Sequence, residues 1–437
     1  MNKKISINRL FDAVAFFVLL IQLTELFRFS LFVGVPLSVV AAITLVLLST
    51  HIALNGGYLM KARNKIMLSC LFLLCVAIPM ILTPYHLFRN YLQPGEMIRV
   101  FANNVIYLEI AISSMILASK YTYSFLRGWF TVVFGIVLIG FAINYIDPGL
   151  FYALKLAVWG VEKNLEGIEY GDVERVGGFY LKSTYASASL VMLAPVGVFL
   201  FSRKSFVGAA VVYLAFVFLV FVTGARSGLM IIAVCSVVFL VSFFRFFGKR
   251  FRSRIQNTLR TGLAFLPVCL VLVGVFLLGA LSTLPESQRE ALLVRVSTLF
   301  SADKLTNDES LKQRSGAQLL YLEKIKDNAF FGYGATYRVQ LRRKGYFWLT
   351  SHNTYVEMTF FYGLTYLIIL LSLMFLMMSG KWEYWVGGVS GLNYMQMLGL
   401  GLLLYCLFAN TLMQNRSLFF SLGFLLGIAN KNILSVK

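Results

Sequence analysis

One imidazole, His352, stands at the start of the string SHNTYVEMTFFYG, directly after a long polar stretch (283–351) rich in Arg and Lys. A neutral imidazole is a suitable general base for a hydroxyl group. The apolar run that follows predicts a helix opening at His352, and the positive potential of a helix N-terminus disfavours imidazolium. Ser351 or Asn353 can cap that helix. Two guanidinium groups suit an anion held beside such a base. Arg226 lies in TGARSG (223–228) between two apolar runs, where an arginine needs a partner or a polar cavity. Gly224 and Gly228 beside it admit close approach of backbone or substrate. Arg314 begins a helical pattern inside the polar stretch, and helix N-termini and guanidinium forks both favour phosphate. Arg175, Lys182 and Arg416 are weaker candidates, with ordinary surface charge as the alternative. Glu357 falls about 140° around the helix from His352. It is a poor direct partner for the imidazole, and a salt bridge to a loop arginine is an equal reading. His51 and His86 stand near span ends with no charged cluster beside them in the sequence.

These residues must be positioned by helices in a membrane. The chain is 59% hydrophobic and only 13% charged, against about half apolar and a quarter charged for a soluble domain. Its 437 residues predict an all-α polytopic membrane protein of about twelve transmembrane helices, forming a single membrane domain (1–437). The spans are expected at 10–27, 31–54, 66–84, 98–119, 128–146, 184–201, 206–223, 228–247, 262–282, 353–378, 394–412 and 417–430. The first is too long for a cleavable leader and reads as a retained span. Alternate connections carry Lys61, Arg63 and Lys65; Lys120 and Arg127; Arg203 and Lys204; and the run from Lys249 to Arg260. The positive-inside rule places them, and both termini, in the cytoplasm. Divided between two membrane faces in this way, the net charge of +20 does not argue for a nucleic-acid partner.

Two long connections, 147–183 and 283–351, fall on the opposite face, where loops of that length are usually functional. In the larger one, Ser287 to Glu290 and Ser310 to Gln313 have capping-box form and precede apolar residues at helical spacing (Leu292, Val296, Leu299; Leu319, Leu322, Ile325). Two short amphipathic helices against the bilayer surface are expected. Gly332 and Gly334 end the pattern, and Tyr346, Phe347 and Trp348 have the composition of an interfacial belt. The five cysteines lie in apolar runs and indicate neither disulfides nor a metal site, and no compact Asp/Glu metal motif is seen. Charged residues gather at span ends and in loops, and the two halves do not look alike, which disfavours a transporter.

TGARSG after a span, an Arg-initiated loop helix running into Phe331-Gly332-Tyr333-Gly334, and HNTYVEMTFFYG opening the next span together resemble the O-antigen ligase/polymerase family, integral membrane glycosyltransferases of GT-C type. The likeness covers the whole topology and is specific over about 223–363. It implies transfer of a glycan from undecaprenyl diphosphate to an acceptor hydroxyl on the periplasmic face of the bacterial inner membrane, with inversion and without metal or cofactor. His352 would be the base, and Arg226 and Arg314 would bind the diphosphate. Apart from the resemblance, Arg175, Lys182, Asn353 and Glu357 are candidate substrate contacts whose roles the sequence leaves open. The acceptor is either a second lipid-linked glycan, as in a polymerase, or the lipid A-core, as in a ligase. The second long loop with its Arg-Gly segment favours polymerase.

Overall fold

The computed structural model describes residues 2–25, 37–60, 65–91, 94–147, 149–151, 177–180, 183–202, 206–225, 227–236, 309–334, 353–379, 394–408 and 415–434, with a few isolated positions between them. The expected span 262–282, most of 228–247 and the Tyr346–Trp348 belt lie outside them. Among the described residues there is no strand. The longer helices among the described residues are α1 (Asn2–Thr24), α2 (Leu37–Asn55), α3 (Lys65–Phe88), α4 (Pro94–Lys120), α5 (Tyr123–Ile146), α6 (Ser183–Ser202), α7 (Phe206–Val222), α8 (Ser227–Ser236), α9 (Glu309–Asp327), α10 (Thr354–Met378), α11 (Tyr394–Phe408) and α12 (Arg416–Leu434). Six of them are long and apolar enough to cross a membrane: α1, α3, α4, α5, α6 and α10. The protein is thus an all-α, membrane-embedded chain. Helix α3 is continuous only through a π-turn, Leu73–Ala77, where Ile78 N bonds back to Leu73 O. Pro79 follows at once and has no N–H to offer the preceding turn, so the wider turn absorbs the missing bond.

The centre of the bundle is the pairing of α4 with α12. A side chain at Gly423 or Gly427 would overlap the carbonyls of Ala111 and Met115, so the two backbones touch. Ser114 Oγ donates to Phe420 O (3.1 Å) and Ser119 Oγ to Gly427 O (3.0 Å) across this seam. Small residues one turn apart suit apolar surroundings, where close van der Waals contact and interhelical hydrogen bonds drive association. Helices α1 and α2 pack on α4, α7 on α6, and α10 on both α11 and α9.

Side-chain contacts set the direction of each helix. At one end, Asp12 of α1 accepts from His51 Nε2 of α2 (3.2 Å), from Lys120 Nζ of α4 and from the Tyr121 hydroxyl (2.8 Å). Lys431 of α12 donates to Tyr121 O, and Tyr394 of α11 meets Ser202 of α6 at 2.7 Å. Tyr123 packs on Phe199 of α6. The start of α1 and the end of α12 therefore share this end. The opposite end holds Thr24, the start of α6, the end of α11 and the start of α12.

Three sequence expectations need correction. His51 does have a charged cluster: the fold brings Asp12 and Lys120 to it from 39 and 69 positions away, and both His51 and Asp12 are fully buried. Charge is also not confined to span ends and loops. Glu109, in the middle of α4, is 6% exposed and accepts from Ser49 Oγ of α2. In addition, Arg127 was placed in a connection but lies inside α5, because Thr122 caps that helix by accepting from Phe125 N.

Candidate functional site

At the end opposite Asp12, α10 starts on a formed cap. Asn353 is extended (φ −136°, ψ 109°), its Oδ1 accepts from Val356 N (3.1 Å), and its carbonyl accepts from Glu357 N (3.0 Å). The cap is thus Asn353, and the helix opens one residue past position 352 rather than at it. Tyr355 OH donates to Leu403 O of α11 (2.9 Å), and Thr354 hydrogen-bonds Cys406 of the same helix. One residue earlier on α11, Tyr405 donates to Ser187 Oγ of α6 (2.8 Å) and also bonds Ser227 of α8. Asn415 Nδ2 donates to Ser189 Oγ (3.1 Å), while its own oxygen accepts from Ser417 N and Leu418 N and so caps α12. Gly224 takes positive φ (60°) in the turn leaving α7, and a side chain at Gly228 would overlap Ser187 Oγ.

Ser227 and Thr354 therefore fasten to consecutive residues of α11, Tyr405 and Cys406. Ser227 directly follows the sequence candidate Arg226, and Thr354 stands two positions after His352. Arg226, His352, Arg175 and Lys182 themselves lie outside the described residues. Glu357 is fully buried in the first turn of α10.

The FGYG segment forms one unit with α10. That helix is broken at Gly363 (φ 78°, ψ −179°), which frees the carbonyls of Phe360 and Phe361 from the helical ladder. Tyr333 N donates to Phe360 O (2.8 Å) and Gly334 N to Phe361 O (2.9 Å), while Leu364 N donates to Ala329 O (2.8 Å). Backbone at that depth is tolerated only when such groups are paired within the protein. The approach requires glycine on both sides. A side chain at Gly363 would overlap Phe330 O, and one at Gly332 would come within 2.6 Å of the Phe361 carbonyl. Gly332 and Gly334 also take φ of 63° and 80°, where glycine is favoured. His86 of α3, which stands near a span end with no charged cluster beside it in the sequence, donates from Nε2 to Phe331 O (2.9 Å) and so holds the loop. Tyr85 donates to Asn328 Oδ1 (3.1 Å), and Tyr337, Tyr333 and Phe360 stack in turn, with Tyr91 edge-on to Tyr337. Burial first, then the negative charge of Asp327, pushes the Tyr333 phenol up to about 12, so it stays a neutral donor to Lys324 O (3.1 Å).

Helix α9 carries Arg314 toward the same place. Tyr321 meets Phe360 edge-on at 4.3 Å, and farther along both chains Ala329 pairs with Leu364. The two helices thus run in the same sense. Continued back by about 10 Å at 1.5 Å per residue, this register brings position 314 level with Asn353. Ser310 is inside α9, which already starts at Glu309, so it is not the cap that its sequence pattern suggested. The helix is also long rather than short. Its buried side is Ala317 and Tyr321, whereas Leu319 and Leu322 are 68% and 46% exposed. Tyrosine and alanine face the protein, and the leucine stripe is left on the outside. Of the expected helix after Ser287, only Glu286, Arg289 and Glu290 are described, and Arg289 pairs with Glu286.

Sequence reasoning missed the break at Gly363. The signal was available as a lone glycine inside a span, flanked by the same aromatic-rich pattern as Phe330-Phe331-Gly332. Among the described residues no group of His, Cys, Asp and Glu could hold a metal ion. No protein-family model matches the chain, and no curated protein is detectably similar to it.

Proposed function

We propose that the chain is a membrane glycosyltransferase that moves a glycan from undecaprenyl diphosphate to an acceptor hydroxyl, with twelve spans, cytoplasmic termini and its site on the periplasmic side. The observation that carries this reading is the attachment of Ser227 and Thr354 to Tyr405 and Cys406 of α11. It draws the residues that follow the candidate cation and the candidate base to one end of the bundle. The docked FGYG loop and α9 support it, because they join the second candidate cation, Arg314, to the helix that follows His352.

In this mechanism His352 takes the acceptor proton and the hydroxyl oxygen attacks the anomeric carbon from the face opposite the leaving group. The bond to the diphosphate oxygen breaks as the new glycosidic bond forms, and Arg226 and Arg314 stabilise the charge that grows on phosphate. Undecaprenyl diphosphate leaves, and the imidazolium returns its proton to water. The exposed leucines of α9 suit contact with the polyprenyl chain or membrane lipid. The acceptor we favour is a second lipid-linked glycan, which makes the protein a polymerase.

Purified protein given a defined undecaprenyl-diphosphate glycan, with and without a lipid A-core acceptor, tests this. Elongation without the core supports a polymerase, and transfer only with the core identifies a ligase. His352→Ala should lower the rate by about 10²–10⁴-fold, and an unchanged rate refutes the role of the base. Buried Asp12, His51 and Glu109 favour one competing reading, transport of the same lipid-linked glycan. Flipping across vesicles without any transfer would establish it.

A further inference from the structure

A line of buried polar side chains joins α1, α2 and α4, and the mechanism above does not use it. Its inner end is Glu109, within the apolar span of α4 and 6% exposed. Ser49 Oγ of α2 donates to Glu109 Oε1, while Oε2 is buried with no hydrogen-bond partner among the described residues. One turn farther along α4, Ser113 Oγ lies 3.3 Å from His51 Nδ1, and His51 Nε2 lies 3.2 Å from Asp12 Oδ1. Residues four apart on a helix are neighbours, about 5–6 Å between Cβ atoms, so a side-chain rotation brings the free oxygen of Glu109 to the Ser113 hydroxyl. At the outer end Asp12 Oδ2 accepts from Lys120 and from Tyr121. The Asp12 side chain is fully buried and that of Lys120 is 23% exposed, so the line meets water there. From Glu109 to Lys120 it covers about 16 Å of helix axis.

The surroundings decide what Glu109 holds. A carboxylate in apolar surroundings needs a countercharge or a proton. The group joined to this one, Ser49, is a neutral hydroxyl. Of the elements packed on α4, α1 brings Asp12 and, one turn from it, Arg9; α2 brings His51; the short helix Gly57–Met60 brings Tyr58; α12 brings Lys431. These lie toward Lys120 and Tyr121. The π-turn of α3, also against α4, carries Cys75. A metal ion needs a cage of several oxygens, and among the described residues no group of His, Cys, Asp and Glu could hold one. A proton needs neither cage nor cavity. Every member of the line can hand one on, because a hydroxyl and an imidazole each accept at one site and donate at another.

We infer that Glu109 is a proton-binding site inside the membrane, emptied and filled through Ser113, His51 and Asp12 from the end of the bundle where α1 starts. On release the Glu109 O–H bond breaks and its proton joins the Ser113 oxygen, whose own hydrogen passes to His51 Nδ1. The His51 Nε2–H bond then breaks toward Asp12 Oδ1, and Asp12 gives one proton to water beside Lys120. Glu109 is left as a carboxylate, His51 is neutral throughout its exchange of one N–H for the other, and uptake reverses each step. The site does not rest on the glycosyltransferase reading. Infrared difference spectroscopy on the full-length chain in nanodiscs tests it, since a protonated carboxyl has a C=O stretch that shifts when deuterium replaces its hydrogen. Acidification should raise such a band in the parent, and Glu109→Gln should remove it. In Ser113→Ala, which loses one hydroxyl, and in His51→Gln the band should remain but take up deuterium about 10²-fold more slowly. A band that is absent from the parent, that survives Glu109→Gln, or that exchanges at the parental rate in both relay variants overturns the inference.

Discussion

Replacing Gly363 by alanine should undock the FGYG loop. The native backbone at Gly363 (φ 78°, ψ −179°) lies in a region essentially reserved for glycine, where another residue costs about 1–3 kcal/mol. The new Cβ would also overlap Phe330 O, so the strand of contacts must move apart. Three backbone hydrogen bonds depend on that approach: Tyr333 to Phe360, Gly334 to Phe361 and Leu364 to Ala329. At about 1 kcal/mol net for each bond, the local penalty is about 4–6 kcal/mol. That is comparable to the whole stability of a small domain, but it falls on one loop, and the α4–α12 seam is untouched. Hydrogen–deuterium exchange provides the assay. The amides of Tyr333, Gly334 and Leu364 should exchange about 10³–10⁴-fold faster in the variant, at 1.4 kcal/mol per tenfold, while those of α12 stay protected. Glycan transfer should fall with them. Gly316→Ala on α9 is the control, since nothing lies near its added methyl. Parental protection of those three amides in Gly363→Ala would refute the proposed interlock.

Asp12→Asn removes the charged partner of half-buried Lys120 and the acceptor of buried His51, so the thermal midpoint in detergent should drop by the equivalent of about 1.5–3 kcal/mol; an unchanged midpoint sinks the idea that Asp12 holds that end together. Gly228→Ala forces its methyl against Ser187 Oγ and should cost about 1–3 kcal/mol. Adding Ser187→Ala should recover part of that loss, and strict additivity of the two changes in denaturation would contradict the contact. Asn353→Ala should lose about 1 kcal/mol of cap energy, with Asn353→Asp retaining it; identical unfolding curves for the two variants would show that the cap is not formed. Tyr405→Phe should reduce transfer while leaving secondary structure intact by circular dichroism, because it releases Ser187 and Ser227 from α11. Full activity in Tyr405→Phe would argue against α11 as the anchor of the site.

Much of this protein was legible as a string. Long apolar runs have one outcome in a membrane, because every backbone group must be paired internally and a helix does so locally. Composition and hydropathy thus determined the all-α, membrane-embedded class and the start of α10 to within a residue. They also placed the glycines of FGYG at a break. What tertiary structure decided was pairing between distant segments. No local pattern announces that Asp12, His51 and Lys120 meet, that Gly423 and Gly427 admit the backbone of α4, or that Tyr333 bonds to a carbonyl freed by Gly363. Helix periodicity states which side of a segment is apolar, but in an apolar solvent that does not say which side faces protein. On α9 the leucines, which the sequence turned toward the bilayer surface, are outside, and the residues that face protein are Ala317 and Tyr321. Small size and hydrogen-bonding shape, rather than hydrophobicity, select partners there, and these properties act only once two helices are already side by side.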